Sequence, residues 1–168
     1  GRDRGELTLI AVTKTWPASD VALLRDLGVR DFGENRDQEA APKAAAIPDV
    51  RWHFVGAVQT NKARSVTSYA DVVHSVDRLG LVRALSAGAV RADRVVDALV
   101  QVSLDGAPGR GGALPADVLE VAEAVAVARA SGAGRVVMHS SRTIAASSLP
   151  PGSITSSTAG SSSRWSWP

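Results

Sequence analysis

Lys14 closes the apolar run LTLIAV and is followed at once by TWPASD, which reads as a turn into a helix. In a parallel α/β protein, ligands gather at the carboxyl ends of the strands, where loops from several units converge. An ammonium held there, its stem against apolar neighbours, is partly desolvated; this lowers its pKa and leaves an amine able to attack an aldehyde and form a Schiff base. The plainer reading is a lysine whose stem packs while its head reaches water. Asn35 ends a second apolar run in FGEN, His53 lies inside WHFVG, and Asp77 ends VVHSVD. His53 also reads as a satisfied core histidine, and Asn35 and Asp77 equally as helix caps.

Other chemistries find less support. His53, His74 and His139 are scattered without a metal-ligand spacing, and the absence of cysteine excludes disulfides, thiolate nucleophiles and cysteine zinc sites. GAPGRGG, residues 106–112, lacks the G-K-[ST] ending of a P-loop and the G-x-G-x-x-G spacing, so it reads as a flexible loop. No G-x-S-x-G elbow is present.

The elements that must position these residues alternate along the first 130 positions. Strands are expected at 7–12, 29–32, 52–55, 72–76, 98–104 and 136–138. Between them fall helices: one capped by Ser19 or Asp20, with Val21, Leu24 and Leu27 on one face and Gly28 as its stop, then 36–46 with Pro42 as an awkward interior residue, 61–68, 78–89 and 115–130. This alternation argues for βα units and a parallel sheet buried on both faces, as a (β/α)8 barrel or an open doubly wound sheet.

With 168 residues, 45% of them hydrophobic, the chain can bury a single-domain core. No apolar run approaches the roughly 20 residues that span a bilayer, and no signal segment opens the chain, so a cytoplasmic protein with no membrane partner is expected. The pI near 9.5 suggests nucleic acid, yet the basicity is terminal. Arg129, Arg135, Arg142 and Arg164 follow the last acidic residue, Glu123; removing these four from the 19 basic residues leaves 15 against 17 acids. The body therefore offers no basic face for a phosphate backbone. From Ser131 onward, 12 of 38 residues are serine and none is acidic, a composition expected to be disordered. The domain expectation is thus a partial barrel over 1–130 and a divergent Ser/Arg-rich tail over 131–168.

Taken in order, AVTKTWP, FGENRDQE, WHFVGAVQTNK, HSVDR and VQVSLDG resemble the pyridoxal phosphate homeostasis proteins, single-domain relatives of the alanine racemase N-terminal barrel. The resemblance covers about Glu6 to Ala130. It implies a (β/α)8 barrel binding pyridoxal 5′-phosphate through an internal aldimine with Lys14, with Asn35 and His53 lining the cofactor pocket. It implies a monomeric carrier or buffer of the cofactor, exchanging with amines and amino acids, with no established turnover. Racemase chemistry needs a second base, usually a tyrosine, and the one tyrosine, Tyr69, has no reason to point at Lys14.

The family's later segments, which hold the cofactor phosphate and face the pyridine nitrogen, are not matched after Ala130. The change of composition there suggests translation in a shifted frame, and the start at Gly1 suggests a second missing piece, so a truncated barrel of five to six units with weak cofactor retention is expected. Strands one and five would then be open edges. Two rivals remain: a class I aldolase-like Schiff-base enzyme, and an interaction module whose basic tail binds RNA.

Overall fold

A computed structural model describes residues 3, 6–107, 109–130 and 136–138. Its strands are β1 (Ile10–Val12), β2 (Asp31–Glu34), β3 (Arg51–Phe54), β4 (Val72–Val76), β5 (Val96–Val100) and β6 (Val136–Met138). Helices α1 (Ala18–Asp26), α2 (Asp37–Ala46), α3 (Ala63–Tyr69), α4 (Leu79–Arg91) and α5 (Val118–Ala130) alternate with them, and a 3-10 turn at Thr60–Lys62 leads into α3.

All five pairings are parallel, and the six strands stand in sequence order from β1 to β6. A doubly wound sheet reverses its strand order at a switch point and carries helices on both faces. Here the order never reverses, so the winding is that of a barrel, present as an arc.

Alternation along each strand sorts the side chains onto two faces. Phe32, Trp52, Phe54, Val73, Val96 and Ala98 face the helices and build the two apolar clusters. One cluster packs them against Val66 of α3, Leu81 and Leu85 of α4, and Val121 and Val125 of α5. The other joins Phe32 and Trp52, their rings 5.9 Å apart, to Val21 of α1 and Ala44 of α2. The Trp52 indole N–H donates to the Ile47 carbonyl at 3.0 Å, so its burial leaves no donor unmet. The opposite, inner face carries Ile10, Val12, Gly33, His53 and Val55, and the register aligns Val12 with Gly33, Gly33 with His53, and His53 with Val72.

Several expectations shift. The first strand begins at Ile10, leaving Leu7 and Leu9 exposed. Helix α1 follows Pro17 without a side-chain cap from Ser19 or Asp20. Leu27 leaves the expected apolar face and is 82% exposed, because the chain turns out of the helix there and Gly28 takes φ of 98°. Pro42 lies within α2 and does not end it; its ring is exposed to solvent. Among the described residues the edges of the sheet are β1 and β6 rather than β1 and β5, because β6 pairs with β5 from Val96 to Ala98. Apart from 136–138, the expectation of a disordered tail over 131–168 lies outside the described residues.

Candidate functional site at the carboxyl ends of the strands

Lys14 is the first turn residue beyond β1, and both of its neighbours are tied to the helix side of the sheet. The Thr13 hydroxyl donates to Glu34 Oε1 at 2.9 Å, and the Thr13 carbonyl accepts from Lys43 Nζ at 2.9 Å. Lys43 and Glu34 form a buried ion pair at 2.6 Å. On the other side, the Thr15 amide donates to Glu39 Oε2 at 3.2 Å, and Thr15 adopts φ of 70°. Lys14 thus stands in a turn whose residues on either side are both anchored. The expected desolvation is not found: Lys14 is exposed, because it follows β1, which among the described residues has a neighbour on one side alone and whose Val12 is itself 48% exposed.

Asn35 stands two residues beyond Gly33, as Lys14 stands two beyond Val12, so the register brings these two strand ends side by side. It does not cap α2, whose first turn is preceded by Arg36 without a side-chain bond. Its backbone is backed by Gly56, the glycine of WHFVG: a Cβ there would lie 2.3 Å from the Asn35 carbonyl oxygen and 2.8 Å from its Cα. Gly56→Ala is therefore expected to push the Asn35 segment outward and cost about 1–3 kcal/mol, since the obstacle is backbone. Chemical denaturation, with amide shifts at Asn35 and Arg36, measures both effects.

His53 is buried on the inner face with both ring nitrogens engaged: Nε2 lies 2.9 Å from Asp31 Oδ1, and Nδ1 lies 2.9 Å from His74 Nε2. With the Asp31 carboxylate accepting, His53 carries its proton on Nε2 and accepts at Nδ1 from His74, whose own Nδ1 then keeps a lone pair. The core-histidine reading and the inner-face position thus coincide, and among the described residues the nitrogen of the pair without a partner is His74 Nδ1. Sequence reasoning passed over His74 and Asp31; the signal was the single polar ring in VVHSV, two residues from a position paired with His53.

Burial lowers the pKa of both histidines, opposed at His53 by the Asp31 carboxylate; at His74 burial and then the neighbouring His53 push it down to about 4. Between about 6.5 and that value an unfolded histidine takes up a proton that folded His74 refuses. The stability is complete above about pH 6.5 and is lost as the pH falls toward 4, on the order of 2 kcal/mol. Urea midpoints at pH 7 and pH 4.5 check this, and His74→Gln is expected to flatten the dependence.

Asp77 does not cap α4 either; it accepts from Arg78 at 2.6 Å and from the Gly112 amide at 3.3 Å. The 106–112 loop is held by carboxylates: Asp105 accepts from the Ala107 amide at 3.1 Å and from Arg110 at 2.9 Å. The Ala107 and Gly112 amides and the Arg110 guanidinium are thus taken up by Asp105 and Asp77, carboxylates that flank the loop and oppose an anion there.

The strand ends fit the carbonyl end of an aldehyde cofactor. Gly33 leaves the inner face beside Val12 and Val55 without a side chain, where an added Cβ would meet them at 3.1 and 3.5 Å. The exposed Lys14 supplies a nucleophile and Asn35, at the neighbouring strand end, a hydrogen-bond donor, whereas the structure sets the His53–His74 pair apart from them, on β3 and β4. Among the described residues no helix is long and apolar enough to cross a membrane, and no group of three or more His, Cys, Asp or Glu could hold a metal.

A parallel sheet wound in sequence order, its strands alternating with helices, defines the (β/α) barrel class. The family model for the alanine racemase N-terminal domain matches residues 4–146. Among curated proteins, the chain is 40% identical over 131 residues to the pyridoxal phosphate homeostasis protein of Corynebacterium glutamicum, covering 74% of this chain and 59% of that protein. It is 36% identical over 131 residues to the protein of the same name from Escherichia coli K12, covering 75% and 56%. The chain thus spans little more than half the length of these relatives. Among solved structures it is similar to PipY of Synechococcus elongatus, both without the cofactor (TM-score 0.68, 35% identity, 79% of this chain and 60% of that one) and with pyridoxal phosphate bound (TM-score 0.64, 31% identity, 84% and 69%). Alanine racemase from Streptomyces lavendulae shares the fold at 24% identity, with a TM-score of 0.63 over 78% of this chain and 35% of that one. The chain belongs to the alanine racemase N-terminal domain family and, within it, to the pyridoxal phosphate homeostasis proteins.

Proposed function

We propose that this chain carries the amine-bearing part of a monomeric cytoplasmic protein that holds pyridoxal 5′-phosphate reversibly through Lys14, and so buffers a reactive aldehyde in vitamin B6 and amino-acid balance. The observation that carries the reading is the state of the three lysines. Lys43 is buried against Glu34 at 2.6 Å, and Lys62 faces Asp37 at 3.8 Å. Lys14 stands at a strand mouth with its amine exposed. The names of the curated relatives, and PipY with its bound cofactor, support the same reading.

When bound, the cofactor supplies an aldehyde that condenses with a primary amine with loss of water, a reaction that free amines and amino acids reverse by exchange. Lys14 provides the amine. Asn35 presents an amide at the neighbouring strand end. His53, held by Asp31, keeps His74 oriented with its lone pair available. The Tyr69 hydroxyl donates to Asp37 Oδ1 at 3.3 Å in the helical layer, and burial raises its pKa, so it is not a second base opposite Lys14. No turnover is therefore assigned.

The test is to add pyridoxal 5′-phosphate to the chain, record the visible absorption band, reduce with borohydride and map the labelled peptide. Label concentrated on Lys14 is expected. Label spread evenly over Lys14, Lys43 and Lys62, or none at all, overturns the proposal; turnover of a carbonyl compound without added cofactor would point instead to an aldolase-like enzyme.

A further inference from the structure

We infer that Glu34, Lys43 and Glu39 are positioning residues for Lys14, acting through a clamp on the residues either side of it. The inference rests on the reading of Lys14 given above.

The clamp has two jaws. On one side, Lys43 Nζ reaches from α2 to the Thr13 carbonyl at 2.9 Å, while Glu34 Oε1 takes both that ammonium at 2.6 Å and the Thr13 hydroxyl at 2.9 Å. On the other, Glu39 Oε2 takes the Thr15 amide at 3.2 Å, and its Oε1 meets Arg36 at 3.3 Å. The turn closes on itself through the Trp16 amide, which donates to the Thr13 carbonyl at 3.1 Å. Between the jaws Thr15 holds φ of 70°, a left-handed conformation that a β-branched residue adopts only under constraint. Lys14 lies between the two clamped residues, in the turn whose course they fix.

Stability alone is a poor account of this arrangement. A buried ion pair is commonly replaced by apolar residues without loss, and Glu34, 1% exposed, keeps Oε2 without a hydrogen-bond partner among the described residues. What the pair does that an apolar pair cannot is grip the backbone and side chain of Thr13.

The double variant Glu34→Leu/Lys43→Met removes that grip while avoiding an unpaired buried charge. Its melting temperature is expected to stay within a few degrees of the parent. Thr15 is expected to lose its positive φ, read by NMR from its amide-to-Hα coupling and Cβ shift. Borohydride-fixed labelling of Lys14 by pyridoxal 5′-phosphate is expected to slow about tenfold or more, since misplacement of a reacting group by an ångström is that costly. The surface jaw gives an independent arm: Glu39→Ala is expected to slow labelling, and Glu39→Gln, which keeps an acceptor for the Thr15 amide, to restore it. An unchanged labelling rate in the double variant and in Glu39→Ala overturns the inference, whatever Thr15 does. If the parent chain does not label at Lys14 at all, the cofactor reading fails, and the Thr15 coupling alone decides the clamp: a retained positive φ in the double variant overturns it.

Discussion

Lys14→Ala is expected to abolish the borohydride-fixed label and the visible band that accompanies pyridoxal 5′-phosphate, while shifting unfolding by no more than about 0.5 kcal/mol. The two halves of that result have separate causes. Among side chains it is the primary amine of lysine that forms an imine with an aldehyde, and the other two lysines are engaged by Glu34 and Asp37. The side chain itself is exposed at the strand mouth, so its truncation uncovers no core. Lys14→Arg is the sharper control: it keeps the positive charge but offers a guanidinium that stays protonated and does not condense. Peptide mapping after reduction and a thermal melt of each variant measure both halves. Label persisting in both variants would remove Lys14 from the proposal.

Lys43→Met should behave in the opposite way, costing about 3–5 kcal/mol, because it strands the Glu34 carboxylate in the interior. Glu34 is fully buried, its Oε2 has no partner among the described residues, and its Oε1 would keep only the Thr13 hydroxyl. The Thr13 carbonyl would lose its ammonium donor as well. Chemical denaturation at pH 7 gives the loss directly. Adding Glu34→Leu to Lys43→Met should recover most of it, and that recovery separates the penalty of an unpaired charge from the worth of the pair.

The strand ends were legible because apolar runs followed by turn residues mark parallel strands, and Lys14, Asn35 and Asp77 sit at those boundaries. Strand β4 was read to the residue, and β6 was read from three residues, VVM. Lys43 was not legible. It lies in an alanine-rich helix that reads as weak, and its burial depends on Glu34 alternating onto the same face as Phe32, toward α2. Glu34 did carry a signal: a carboxylate inside an otherwise uncharged stretch, FGEN, demands a partner. The exposure of Lys14 could not be read locally, since it depends on β1 having, among the described residues, a neighbour on one side alone. Nor could the capping readings of Asn35 and Asp77 be rejected without coordinates, because residue type suits a cap and a pocket alike.

The clamp around Lys14 also bears on how far the reactive segment can be moved. The segment AVTKT carries the amine, yet the bonds that orient it come from Glu34, Glu39 and Lys43, more than twenty residues downstream of Thr13 for the nearest of them. A five-residue graft onto a foreign strand would transfer a lysine but not its aim. The smallest portable unit is the block from Ile10 through Ala46, with β1, α1, β2 and α2 together, and evolution by exchange of short loops would have to leave that block whole.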